Sequence, residues 1–122
     1  MDYRARQEKA EELAARQHVD TVLITHLPNV RYLCGFTGSA GVLAIGHHNP
    51  TFFTDGRYTD QAASEVQRAR VVVGKGSALT EAARWAKRTR RRSVGIEGEH
   101  LTVAGRLSLQ GLLPGVRLRA TR

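Results

Sequence analysis

The stretch Asn29-Val30-Arg31-Tyr32-Leu33-Cys34-Gly35-Phe36-Thr37-Gly38-Ser39-Ala40-Gly41, followed after a short interval by Phe53-Thr54-Asp55-Gly56-Arg57-Tyr58, decides how the rest of the chain is read. Pro28 and Asn29 mark a turn. Val30, Leu33 and Cys34 recur at helical spacing, which predicts one or two helical turns ending at Gly35. Residues 35–41 then form a glycine-rich turn, and glycines three residues apart let backbone approach another surface closely. Residues 42–45 and 51–54 are short apolar runs on either side of Gly46-His47-His48-Asn49-Pro50. That pattern predicts a β-hairpin with a loop of a few residues. Asp55-Gly56 breaks the second strand, so Asp55 and Arg57 stand at a strand end, where ligands collect on α/β sheets. Asp55 serves equally well as the cap of the helix that follows.

Upstream, Asp2 is a helix cap, and residues 3–17 are good helix formers with Ala10, Leu13 and Ala14 on one face. Residues 19–25 read as a buried strand. Downstream, residues 57–68 read as a helix carrying Ala62, Ala63 and Val66 inward, and Val71-Val72-Val73 as a β-branched strand. Ser77 or Thr80 caps a helix running to about Arg92, with Leu79, Ala82, Ala83 and Ala86 inward and Trp85 at the margin. Ser93-Val94-Gly95-Ile96-Glu97 is a strand, and Thr102 caps a helix closed by Pro114-Gly115. Val116-Arg117-Leu118-Arg119-Ala120 alternates as a half-exposed edge strand does. Strands joined through helices imply parallel pairs and the hairpin adds antiparallel ones. The fold expected is therefore α/β, a mixed sheet flanked by helices.

The 122 residues fit one domain. The last strand ends about two residues before the chain does, as in a domain cut from a longer protein. With 41% hydrophobic and 25% charged residues the chain is too apolar to be disordered. No apolar run approaches the ~20 residues of a membrane span, and the charged start MDYRARQEKAEEL is no secretory signal. Cys34 stands alone, which excludes an intrachain disulfide and makes a cytoplasmic protein the simplest expectation. The net charge is +8, and of 19 basic residues all but Lys9, Lys75 and Lys87 are arginine.

Charge of that kind suits an anionic partner or a solvated surface. The densest run, Lys87-Arg88-Thr89-Arg90-Arg91-Arg92, is the alternative functional site, a nucleic-acid-binding face. A helix C-terminus attracts cations without any ligand, and no aromatic residue falls inside the run to stack on bases. Gly74-Lys75-Gly76-Ser77 resembles a phosphate-binding turn but lacks the Walker spacing. His47 and His48 are adjacent, so strand geometry points them to opposite faces. Glu97, Glu99 and His100 cluster in a loop without any standard metal-ligand spacing. Cys34 lies in an apolar stretch and is expected to be packed.

The two quoted stretches resemble the amino-terminal domain of the creatinase/prolidase/aminopeptidase P family. The family pattern Asn-x-x-Tyr-Leu-x-Gly-Phe-x-Gly is met by Asn29, Tyr32, Leu33, Gly35, Phe36 and Gly38. Its Thr-Asp-x-Arg-Tyr is met by Thr54, Asp55, Arg57 and Tyr58. The resemblance implies a mixed sheet of five or six strands with helices, similar to a ribonuclease-H-like arrangement, across residues 1–122. It implies a non-catalytic domain of an Xaa-Pro aminopeptidase or Xaa-Pro dipeptidase, enzymes that cleave the bond before proline. Creatinase shares the domain, so a creatine-hydrolysing parent stays open. In the family, two divalent metals, commonly manganese, sit in a carboxy-terminal pita-bread domain that this chain does not contain. No cofactor, no metal ligand and no catalytic residue is therefore expected here, and the chain alone is expected to be inactive. The partners implied are a downstream catalytic domain, a second subunit in a homodimer and proline-containing peptides. Neither a membrane nor nucleic acid is implied. Arg57 is the residue expected to reach substrate or a facing domain, Asp55 to orient it, and Phe36 and Tyr58 to supply apolar wall.

Overall fold

A computed structural model describes residues 2–121. Five helices, α1 (Tyr3–Arg16), α2 (Leu27–Cys34), α3 (Thr59–Glu65), α4 (Ala78–Arg88) and α5 (Val103–Leu112), alternate with six strands. The strands are β1 (Thr21–Ile24), β2 (Val42–Gly46), β3 (His48–Asp55), β4 (Arg70–Gly74), β5 (Ser93–Glu97) and β6 (Arg117–Thr121). They make one sheet in the order β4-β3-β2-β1-β5-β6, in which β2 alone runs against the rest. The α/β class and the mixed sheet expected from the sequence are those observed, with six strands.

Alternation along the strands divides the core into two layers. Val22 and Ile24 face one side with Ala14, Val30, Leu33, Phe36, Leu43 and Phe52, under α1, α2 and α3. Leu23 faces the other with Ala44, Phe53, Val94, Ile96 and Leu109, under α4 and α5. The neighbours Phe52 and Phe53, both fully buried, thus anchor opposite layers. Trp85 is buried against Phe53, centroids 5.7 Å apart.

Three boundaries differ from expectation. The hairpin is tighter than five turn residues, because β3 begins at His48 and only His47 lies outside the strands. A register shift between Ala44 and Gly46 absorbs the extra residue. Pro50 falls within that irregularity, one residue before the pairing with β4 begins at Thr51, so its missing N–H breaks no ladder there. The helix expected over 57–68 is a 3₁₀ turn (Gly56–Tyr58) and the seven-residue α3. The helix expected to reach Arg92 stops at Arg88, because Arg90 takes a left-handed φ of 58°. Arg91 N–H then bonds Ala86 O at 2.9 Å and Arg90 N–H bonds Lys87 O at 3.1 Å, a Schellman closure without glycine. His18, φ 60°, closes α1 in the same way.

The direction of the strands matters for function. β1, β3, β4, β5 and β6 all end at the same edge of the sheet, which therefore holds Asp55 and Glu97 as well as the turn that enters β2.

Candidate functional site

β3 delivers Asp55 to this carboxyl edge. Its Oδ1 accepts the backbone N–H of Arg57 at 3.0 Å and so opens the 3₁₀ turn. The same carboxylate takes the Arg57 guanidinium in a two-pronged pair, Nε to Oδ1 at 3.0 Å and Nη2 to Oδ2 at 2.8 Å. Capping and orienting, which the sequence leaves as alternatives, are both present. The Arg57 side chain is 71% exposed and that of Asp55 20%. The hydrogen bond from Arg57 holds the Asp55 carboxyl below its usual range, and the carboxylate in turn raises the guanidinium. Arg57 is thus a fixed cation with a pre-set plane, suited to a carboxylate or to carbonyl oxygens.

Beside it, the Tyr58 hydroxyl and Ser39 Oγ share a hydrogen bond, which lowers the phenol's pKa. The Arg57 guanidinium lies 5.3 Å from the centre of the Tyr58 ring. Phe36 is 1% exposed; it meets Tyr58 edge-on at 5.6 Å and Phe52 at 4.6 Å. Its ring is core, and the surface it shapes is the ring of Tyr58. The glycines of the turn follow from these aromatics. A Cβ on Gly38 would come within 2.4 Å of Phe36 Cζ and 2.9 Å of Tyr58 Cε1. One on Gly41 would come within 2.6 Å of Phe52.

The turn is tied at both ends. Thr37 donates its N–H to Glu65 Oε1 at 2.8 Å, and its hydroxyl also bonds that carboxylate. The donation from the Thr37 backbone lowers the Glu65 pKa. Thr54 Oγ1 donates to Ala40 O at 2.6 Å. A shallow cleft of about 450 Å³ lies along the turn between Pro28, Arg31 and Thr37–Ser39.

Glu97 holds the other half of the motif. Oε1 accepts the N–H groups of Thr25 (2.6 Å) and His26 (2.7 Å), and Oε2 accepts the Asn29 amide at 2.6 Å. The carboxylate thereby caps α2 from a different strand, 68 to 72 positions away in sequence. The sequence offers Asn29 as a turn marker and Glu97 as a loop acid. Only the parallel pairing of β1 with β5 brings them together. This capping role is the functional detail that sequence reasoning misses, although both residues belong to segments it singled out.

The other flagged groups are occupied locally. His100 stacks on His26, centroids 3.6 Å apart. His47 faces Glu11 at 3.2 Å, while His48 turns to Thr21 Oγ1 at 2.9 Å and lies edge-on to Trp85. Burial lowers the His48 pKa. Gly76 N–H already donates to Glu81 Oε1 at 3.3 Å, and Glu81 packs on Gly74, so the chain's own carboxylate fills the proposed phosphate cradle. Cys34 is fully buried, and burial pushes its thiol up to about 11. In the 87–92 run, Lys87 and Arg88 occupy the last turn of α4 and Arg91 lies 5.2 Å from the centre of the Trp85 ring. Among the described residues no group of three His, Cys, Asp or Glu side chains converges as metal ligands do. Both oxygens of Glu97 are taken by donors, so this carboxylate is not free to ligate a metal ion.

The mixed six-stranded sheet with its helices is an α/β domain, and its carboxyl edge carries the Asp55–Arg57 pair and the Glu97 cap. The family model described as Creatinase/Prolidase N-terminal domain matches residues 6–121, and the chain belongs to that family. The peptidase YqhT of Bacillus subtilis is 42% identical over 72 residues, 59% of this chain and 20% of its own length. The Xaa-Pro dipeptidase from Bacillus anthracis superposes with a TM-score of 0.90 at 25% identity, over 98% of this chain and 33% of that one. The N-terminal domain of the cytoplasmic peptidase PepQ from Mycobacterium tuberculosis H37Rv gives 0.86 at 34% identity, over 97% and 92%. The chain thus spans one fifth of the curated relative's length and one third of the dipeptidase's. These peptidase relatives give the nucleic-acid reading of the 87–92 run no support. No helix among the described residues is long and apolar enough to cross a membrane.

Proposed function

We propose that this domain is the non-catalytic N-terminal part of a cytoplasmic Xaa-Pro aminopeptidase or dipeptidase. In it, the domain contributes to dimerisation and shapes access to the active site of its own or a neighbouring subunit. The observation that carries the reading is the superposition of the whole domain on one third of a longer Xaa-Pro dipeptidase. The chemistry would then belong to a downstream catalytic domain, where two divalent metals, manganese in the family pattern, would supply Lewis-acid activation of water and of the scissile carbonyl. This chain's residues bind and orient. Asp55 fixes the plane of Arg57, leaving guanidinium N–H groups exposed toward a carboxylate or carbonyl of the peptide or of the facing domain. Tyr58, braced by Phe36 and Ser39, is the adjoining apolar wall.

The test uses the polypeptide in which this domain precedes its catalytic domain, assayed on Xaa-Pro peptides with manganese. Arg57→Ala is expected to lower kcat/KM by about tenfold or more, chiefly through KM, because a charge-assisted contact is lost. Residues 1–122 alone are expected to hydrolyse nothing. Turnover by the isolated domain, or unchanged kinetics in the variant, would overturn the reading.

A further inference from the structure

A cavity of about 250 Å³ opens between α1 and α2 on one side and β1, β5 and β6 on the other. It shares no residue with the Asp55–Arg57 pair or the glycine-rich turn. The buried strand residues Val22, Ile24 and Ile45 line it from the sheet. Leu13 and Tyr32, two of the large apolar side chains that the fold leaves exposed, stand at its sides.

The charge around these apolar walls has one sign. Glu97 and Glu99 line the cavity and, among the described residues, no lysine or arginine does, in a chain of net charge +8. Arg6 lies nearby, 4.2 Å from the centre of the Tyr32 ring, but outside the lining. His100 is the one other titratable group in the wall, and it stacks on His26. Glu97 is 8% exposed, and its hydrogen bonds come from neutral donors, the backbone of Thr25 and His26 and the Asn29 amide. No ion pair reaches it among the described residues. Buried charges are ordinarily matched by an opposite charge, and here that charge is missing. Glu99, exposed beside it, bonds to no described side chain.

We propose that this cavity binds a small amphipathic cation, an amine with a hydrocarbon or aromatic body and no carboxylate. The body covers Val22, Ile24 and Leu13, and the ammonium pairs with Glu99 in the field of Glu97. An apolar cavity of ~150 Å³ already accepts a benzene ring, so this one has room for a ring with a short amine arm. A carboxylate ligand meets two like charges, and a neutral one leaves both acids unmatched. A bare metal ion finds no convergent ligand set among the described residues. The proposal goes beyond the access role given to Arg57 and does not depend on it.

Titration of the isotope-labelled chain with phenethylamine, followed through its amide NMR shifts, tests this. Saturable shifts are expected at Leu13, Val22, Ile24 and Tyr32, with Kd on the order of 1 mM, ordinary for a ligand of about ten non-hydrogen atoms. Phenethyl alcohol should bind about fivefold more weakly and hydrocinnamate about tenfold. Glu99→Gln changes an exposed side chain and should weaken the amine about threefold while leaving the alcohol unchanged. Leu13→Lys keeps a good helix former, sets the chain's own ammonium beside the cavity and should weaken the amine about tenfold. No saturable shift by about 10 mM would overturn the site. Shifts centred on Asp55 or Glu65 instead would overturn its assignment to this cavity. Equal binding of amine, alcohol and carboxylate, or an amine affinity indifferent to Glu99→Gln, would overturn the cation as its ligand.

Discussion

Glu97 and Asp55 occupy equivalent places, each a carboxylate at the carboxyl end of a strand on the same sheet edge, and each caps a helical turn. They differ in where the rest of the charge goes. Glu97 is 8% exposed and spends its bonds on neutral donors inside the fold, tying α2 to β5. Asp55 hands its charge to Arg57, whose side chain is 71% exposed. One carboxylate locks the scaffold and the other presents a cation. Position on the sheet edge alone therefore does not decide whether a carboxylate serves the scaffold or the surface; the partner of its charge does.

The comparison predicts a gradient of damage. Phe36→Ala, which removes the ring beneath Tyr58, should cost about 3–5 kcal/mol in urea unfolding, as large-to-small changes in a packed core do. Glu97→Ala leaves the N–H groups of Thr25 and His26 without their acceptor and should cost about 2–4 kcal/mol. A loss near zero would show that water replaces the carboxylate and that the lock is no lock. Gly38→Ala forces a methyl against Phe36 and Tyr58 and should cost about 1–3 kcal/mol, since overpacking strains rotamers. If it is tolerated, the turn is looser than its ties to Glu65 and Thr54 imply.

How much of this was legible beforehand depended on whether the information was local. The alternation of β-branched and apolar runs, the breakers at Asp55-Gly56 and Pro114-Gly115, and the cap at Ser77 are local, and the sheet and its helices follow from them. The Asp55–Arg57 pair is local too, two residues apart, and both of its possible roles could be named. The Glu97 cap could not, because its partners come within reach only when β5 pairs with β1. The end of α4 escaped for a different reason. Arg90 adopts the left-handed conformation that glycine normally signals, and a helix reading has no cue to stop at an arginine. Phe36, expected as apolar wall, is 1% exposed and packs on Phe52, because the ring turns in from the glycine-rich turn and leaves Tyr58 to face outward.

Acid sharpens the contrast on the exposed side. The Asp55 and Glu65 carboxyls are both held below their ordinary values in the folded chain, by the Arg57 side chain and by the Thr37 backbone. A carboxyl depressed in the folded state adds stability above its unfolded pKa, roughly 4, and loses it as pH falls through the folded value. Unfolding free energy should therefore begin to decline as pH drops past about 4. The decline should be shallower in Arg57→Ala, where Asp55 returns toward its ordinary value. An equally steep decline in the variant would mean that Glu65 and Thr37 account for the acid sensitivity.

At neutral pH the same Arg57→Ala variant should produce the smallest change of all. The pair is open to water, where exposed ion pairs add little to stability, and Asp55 keeps the Arg57 N–H as its capping partner whatever the side chain. Its thermal midpoint should stay close to the native one, well inside the shift produced by Glu97→Ala. A drop as large as that of Glu97→Ala would make Arg57 a second lock, and the division between an inward and an outward carboxylate would fail. A native-like midpoint, together with a raised KM in the two-domain enzyme, would separate presentation from scaffolding, because a merely structural arginine has no means of changing KM without disturbing the fold that holds it.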